Sequence, residues 1–237
     1  MRIVRGPRHN RYRPAIDVLF RSAAFAHGPR AIGVILSGAL NDGVAGLAAI
    51  KRSGGLAVVQ DPSDARFPEM PRHAVEEIDV DHVVPADAIA PLLVRLTSEE
   101  LPVSPQVPDL GLEFEVGADQ GHSSPQGLDA LGTRSVFTCP ECRGTLWQMK
   151  DEDVLRFRCH VGHSFGAGTL MDSQHEKLEE TLWAAVRAME ENAVLARKVG
   201  SRLRAGGVPT ELQEKAEGLE RHADTLRTLL QGSPVGR

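Results

Sequence analysis

The chain has 237 residues, 41% of them apolar, and 27 Lys and Arg stand against 32 Asp and Glu for a formal net charge of −5. That length holds one or two domains with room for a core. The acidic balance argues against a protein built to coat nucleic acid, and no apolar run nears the roughly 18 residues of a membrane helix. The basic N-terminus, MRIVRGPRHNRYRP, has no apolar stretch after it and is not a secretory signal. Three cysteines, two of them spaced as Cys139 and Cys142, read as metal chemistry in a reducing cytoplasmic setting and not as a disulfide framework.

In chain order, the first 96 residues alternate between helix and strand patterns. Pro14–Ala26 places Ile16, Leu19, Phe20 and Ala23 on one helical face. Ala31–Leu36 is a short apolar run that suits a strand buried on both faces. A helix starts at Asp42 or Gly43 and runs through Ile50, stopped by Gly54-Gly55. Leu56–Val59 is a second strand, Pro71 opens a helix through Glu77, Val80–Val84 is a third strand and Ala86–Leu96 a helix. Such alternation predicts an α/β fold with a parallel sheet and helical crossovers.

Residues 97–136 carry one basic and seven acidic groups and are rich in Pro, Gly and Ser, which predicts a linker with a short extended piece around Leu110–Val116. Residues 137–166 hold all three cysteines. Beyond them, Leu178, Leu182, Val186, Met189, Ala193 and Ala196 form one helical stripe. After Gly206-Gly207, with Thr210 as a cap, Leu212, Ala216, Leu219, Ala223, Leu226 and Leu230 form another. The two stripes predict a helical hairpin over 167–237, closed on itself or associating with a second copy or another helix.

Two constellations carry chemistry. Cys139-x2-Cys142-x16-Cys159-x3-His163 has the spacing of a closed four-ligand zinc site on two turns, a zinc-ribbon-like module in which the metal is structural. His160 could replace His163, and a metal-free relic or a redox CxxC are the alternatives; Pro140 and Gly144 favour a knuckle over the helix start that a redox motif needs. The second constellation, Ser37-Gly38-Ala39-Leu40-Asn41-Asp42-Gly43, sits where open α/β sheets place their sites, but it matches neither a phosphate loop nor a dinucleotide fingerprint. Asp42 alone fits a helix cap better than a catalytic acid, and Ser37 a loop hydrogen-bonder. Arg2, Arg5, Arg8, Arg11 and Arg13 read as a solvated face or local ion-pair donors.

The stretches RPAIDVLFRSAA, GVILSGALNDGVAGLAAIKRSGGLAVVQDPSDARFPEMPRHAVE and VVPADAIAPLL resemble, in order, the catalytic domain of CheB-type chemotaxis protein-glutamate methylesterases over about residues 1–96. The tail, FTCPEC through LRFRCHVGHSF and LEETLWAAVRAMEE, resembles the cysteine-bearing extension of some members. The resemblance implies a Ser-His-Asp hydrolase acting on methyl esters of receptor glutamates in phosphorelay-linked signalling, with cytoplasmic chemoreceptor helices as partners. It implies a Rossmann-like, doubly wound parallel sheet, for which three strands are few, so apolar helix faces and a sheet edge are expected to be exposed. It assigns the triad's Asp to Asp42. The family's nucleophile and base precede the RGPRHNRYRP stretch, so the chain is expected to be N-terminally truncated, with one of the three roles filled. Neither His9 nor His73 matches the base, and no G-x-S-x-G elbow exists. The rival expectation is a non-enzymatic adaptor that docks a receptor or another partner.

Overall fold

The computed structural model describes residues 5–100, 109–150, 154–202 and 210–232. The chain divides into two units, Met1–Met171 and Asp172–Arg237. No helix among the described residues is long and apolar enough to cross a membrane.

The first unit opens with the expected α/β succession: α1 (Ile16–His27), β1 (Ile32–Ile35), α2 (Val44–Arg52), β2 (Leu56–Gln60), α3 (Glu69–Glu77), β3 (His82–Val84) and α4 (Ala86–Ser98). The three strands form a parallel sheet in the order β1-β2-β3, with Ile32 opposite Leu56 and Val58 opposite His82. Its core joins Phe20 and Ala24 of α1, Val44, Leu47 and Ile50 of α2, Ile35 and Val59 of the sheet, and Met70 and Ala74 of α3. Helices α1 and α2 meet backbone to backbone at Gly46, where a Cβ would lie 2.7 Å from Phe20 Cβ and 2.9 Å from the Asp17 carbonyl oxygen. Leu19, Phe25 and Leu36 are about half exposed, and β1 is an edge of the sheet.

Residues 97–136 are not a linker throughout. They hold α5 (Leu110–Asp119), α6 (Pro125–Leu131) and most of β4 (Gly132–Thr138), and the stretch expected to be extended is helical. Asp109 caps α5 by accepting from the Leu112 amide, and Ser124 caps α6 by accepting from Gly127. The buried positions of α5 are Leu112, Glu115, Ala118 and Asp119, a helical spacing that includes two carboxylates. These face β6 (Arg156–Cys159), the third strand of an antiparallel sheet ordered β4-β5-β6-β7, with β5 Thr145–Met149 and β7 Ser164–Gly166. Two residues along a strand span about 6.7 Å and four along a helix about 6 Å, so the pairs Arg156–Glu115 and Arg158–Asp119 match in register.

The strands of this second sheet face two ways. Leu146, Phe157 and Phe165 pack with Cys139, Cys159 and Leu170 on one side. On the other, Trp147 and Met149 pack with Leu128, and with Phe114 and Leu131, from α5 and α6. The Trp147 indole N–H donates to Asp129 at 2.8 Å, and Arg134 grips the same carboxylate with two bonds while lying over the indole ring. The ribbon was expected to stand apart behind a long linker. Instead it shares a compact unit with the α/β elements, because the second face of its sheet carries Trp147 and Met149, which α5 and α6 bury.

In the second unit, α7 (Ala167–Arg202), which opens in the first, packs on α8 (Thr210–Gly232) through Ala193, Ala196, Ala216 and Leu219. Arg197 pairs with Glu220 and Glu190 with Arg227, so the partner number rises on one helix as it falls on the other and the two run antiparallel. Leu178, at the start of the first stripe, is exposed. The connection, with the expected Gly206-Gly207 turn, lies outside the described residues.

Asp119 accepts from Arg21 Nε at 2.8 Å, pairs with Arg158, and lies 3.3 Å from His9 Nε2, all four groups being almost fully buried. Asp119→Ala would leave two buried guanidinium groups without their carboxylate, and the expected loss is about 3–5 kcal/mol of unfolding free energy. Urea denaturation followed by far-UV circular dichroism measures it. A change below about 1 kcal/mol, the level of an exposed pair, would contradict the buried network.

Candidate functional site

The loop from β1 to α2 carries Asp42, which is buried. Gly43 adopts a left-handed backbone (φ 98°) that turns the chain into α2. Ser37 behaves as a loop hydrogen-bonder, its hydroxyl accepting from the Phe67 amide at 2.8 Å and its own amide donating to Gln60 Oε1. His73 lies on α3, 3.5 Å from Glu77, and His9 is committed to the Asp119 cluster, so neither imidazole approaches Asp42. Of the basic N-terminal run, Arg8 lies 3.6 Å from Glu141 and Arg13 donates to the Gly6 carbonyl, both as local surface contacts.

Asp42 does not cap the helix that follows it. Its Oδ2 accepts from the Ile16 amide at 2.7 Å and its Oδ1 from the Asp17 amide at 3.2 Å, so it caps α1 from outside. Asp17 returns the favour: its Oδ1 accepts from Gly43 at 3.1 Å and Gly46 at 2.7 Å, the first free amides of α2. Each carboxylate thus sits at the positive end of the other's helix. Asn10 Nδ2 donates to Asp17 Oδ2 at 3.0 Å and completes the set. Sequence reasoning missed Asp17 and Asn10; a carboxylate one turn ahead of Phe20, on the apolar face of α1, was the available signal. Among the described residues no serine hydroxyl or imidazole is bonded to Asp42.

Burial and the neighbouring charge of Asp17 push the Asp42 pKa up from 3.8 to about 6. Burial also raises that of Asp17. Burial alone would raise Asp119 too, but Arg21, Arg158 and His9 overcome it and hold that carboxyl well below its ordinary range. Burial keeps His9 neutral by pulling its pKa well below 6.5.

The second cluster is the cysteine set. The ligand atoms of Cys139, Cys142, Cys159 and His163 all lie within 4.8 Å of one another. Cys139 and Cys142 belong to the β4–β5 turn, closed by the Cys139 amide on the Gly144 carbonyl, and Cys159 and His163 to the β6–β7 turn, closed by the Cys159 amide on the His163 carbonyl. The sulfurs of Cys142 and Cys159 are 3.6 Å apart, and His163 Nδ1 lies 3.5 and 3.8 Å from the sulfurs of Cys159 and Cys139. A tetrahedron of donors about 2.0–2.3 Å from a metal has edges of about 3.5–3.8 Å, so the set could hold a metal ion. Hydrogen bonding from Cys139, with further bonds from His163 and Cys142, outweighs burial and draws the Cys159 thiol down to about 3, which prepares one sulfur as a thiolate. His160 is exposed and is not part of the set.

The carboxylates give a pH signature. Asp42 and Asp17 bind protons more readily folded than unfolded, so their contribution to stability is fullest below about pH 4 and is lost as pH rises through about 6. Asp119 acts oppositely, contributing above its unfolded pKa and losing that contribution as pH falls. The thermal midpoint is expected to decline from about pH 4 to 6, and Asp42→Asn should flatten that decline. Equal slopes in the two proteins would remove Asp42 as its source.

Residues 1–93 match the model of the family described as CheB methylesterase. A Leptospira interrogans protein named for protein-glutamate methylesterase and protein-glutamine glutaminase is 50% identical over 96 residues, which are 40% of this chain and 50% of that protein. The protein-glutamate methylesterase/protein-glutamine glutaminase 4 of Anaeromyxobacter dehalogenans is 49% identical over 94 residues, 40% of this chain and 26% of the relative. The chain therefore spans about half the length of the first relative and about a quarter of the second. The solved Thermotoga maritima CheB methylesterase catalytic domain is 34% identical over 37% of this chain and 46% of its own, with a TM-score of 0.36. From Met1 to Leu93, a stretch that includes Asp42 in the loop after β1, the chain is similar to the CheB methylesterases.

Proposed function

We propose that the chain is part of a chemotaxis-type protein-glutamate methylesterase, hydrolysing glutamate methyl esters on the cytoplasmic helices of chemoreceptors, in which Asp42 is the carboxylate of a Ser-His-Asp triad. The observation that carries this reading is the position of Asp42. It lies within the stretch that matches the family, just beyond the C-terminal end of a buried parallel strand, where open α/β sheets gather their reacting groups. In such a triad the carboxylate holds an imidazole in the tautomer that accepts the serine proton and then stabilises the imidazolium. No serine or histidine among the described residues is placed for the other two roles, so the 237-residue chain alone is proposed to be inactive.

A second reading has its own support. Both Asp42 oxygens are already occupied by α1 amides, a role that needs no substrate, and a metal-holding ribbon with a helical hairpin would serve as an adaptor. A chimera separates the two. When residues 1–93 replace the matching stretch within the Leptospira interrogans protein, methanol release from methylated receptor should persist. Asp42→Asn in that chimera should lower it by about 10⁴-fold, as loss of the orienting carboxylate does in a triad. Activity insensitive to Asp42→Asn would favour the adaptor. The chain alone should stay at background.

The cysteine cluster is proposed to be a zinc-ribbon-like module that holds structural zinc. Thiolate and imidazole donors in a closed set of four suit a tetrahedral d¹⁰ ion and leave no position for substrate. Elemental analysis of protein purified without chelator should give one zinc per chain, falling well below that in Cys142→Ser. A metal-free protein whose 137–166 segment resists proteolysis would refute the assignment.

A further inference from the structure

The residue after the ligand His163 begins a strand that reaches the carboxylate pair by two routes. The first runs through the N-terminal segment. The Asn10 amide donates to the Ser164 carbonyl at 2.8 Å, the Gly166 amide donates to Asn10 Oδ1 at 2.8 Å, and Asn10 Nδ2 holds Asp17 Oδ2. The second runs through the start of α7, where the Thr169 hydroxyl donates to Asn41 Oδ1 at 2.7 Å, next to Asp42. Asn10, Asn41, Ser164 and Thr169 are all buried. A cleft lined by Asn10, Asp17, Asn41, Arg156, Ser164 and Gly166 separates the two routes. On the same turn Gly162 lies against Pro7, with a built Cβ 2.7 Å from Pro7 Cγ.

We infer that the Cys139, Cys142, Cys159 and His163 site is a metal-dependent latch that fastens the reciprocal caps of α1 and α2, so that metal occupancy sets how firmly Asp42 is held. The inference rests on the proposed metal site but not on any activity of the chain. Its physical basis is the small size of the core on the cluster side of the ribbon. The buried apolar side chains there are Leu146, Phe157, Phe165 and Leu170 around Cys139 and Cys159, a small core on which to fix the two cysteine-bearing turns and β7 without the metal's contribution to folding. When the metal leaves, β7 loses its anchor at His163. The bonds from Ser164 and Gly166 to Asn10, and from Thr169 to Asn41, go with it. Asp17 then loses its Asn10 donor, and the Asn41–Asp42 turn loses its tether.

Amide hydrogen exchange by NMR on the full chain tests this, with zinc content measured on the same samples. Removing zinc with EDTA should raise exchange at Ile16, Asp17, Gly43 and Gly46 by about tenfold or more, together with Ser164 and Gly166, while Val58 and Val59 in β2 keep their protection. Re-adding Zn²⁺ should restore it. In zinc-loaded protein, Asn10→Gly combined with Thr169→Val should raise exchange at the same four amides without releasing metal; glycine suits the positive φ of 46° at position 10. A protein that never binds metal overturns both the metal assignment and the latch. A zinc-bound protein overturns the latch alone if EDTA loosens only β4–β7, if β2 opens in step as one cooperative unit, or if the double variant leaves the four amides unchanged.

Discussion

Arg21 from α1, Arg158 from β6 and the ring of His9 converge on Asp119, the last residue of α5. The place is electrostatically awkward. A carboxylate at a helix C-terminus meets the negative end of the helix dipole, and burial removes the water that would solvate it. Two guanidinium groups reverse that balance, and each arrives from a different sheet system. Once the carboxylate is committed, α1 and β6 have little freedom to slide past one another, because a buried charge tolerates no arrangement in which it is unpaired. The packing of α5 on α1 follows from that commitment.

The same economy governs the loop that bears Asp42. Neither α1 nor α2 carries a capping side chain at its own first residue. Each takes its acceptor from the chain at the start of the other helix, which places two carboxylates in one buried site; burial raises both pKa values, and the Asp17 charge raises that of Asp42 further. A local cap would have stabilised either helix at less electrostatic cost. The arrangement instead ties the orientation of Asp42 to the packing of two helices, a rigid support of the kind a positioned carboxylate needs.

Much of the α/β part was legible because its apolar runs have the length and punctuation of buried strands, and because Gly54-Gly55 and Pro71 mark helix ends. The cysteine cluster was legible from spacing alone. The misreading of 97–136 has a specific cause. Leu110, Leu112, Phe114 and Val116 alternate, which reads as a strand, whereas the face α5 buries includes Glu115 and Asp119, residues that a hydrophobic count assigns to solvent. Their partners, Arg156 and Arg158, lie on the face of β6 opposite Phe157 and Cys159. A charged face on a helix and a charged face on a strand are each recognised as buried only when the other is known, and about 40 residues of sequence separate them. Asp17 escaped notice because two of its partners, at Gly43 and Gly46, are backbone amides, which carry no mark in the sequence.

Strand β5 faces two interiors, with Leu146 toward the thiol cluster and Trp147 toward α5 and α6. The ribbon is therefore not a bead that could be cut from the string at Phe137. An excision there would expose Trp147 and Met149 and leave Arg156 and Arg158 without the α5 carboxylates that pair with them. If such extensions are exchanged between proteins in evolution, the portable unit begins at Asp109, and a host must offer a counterpart to Arg21 and His9 to receive it.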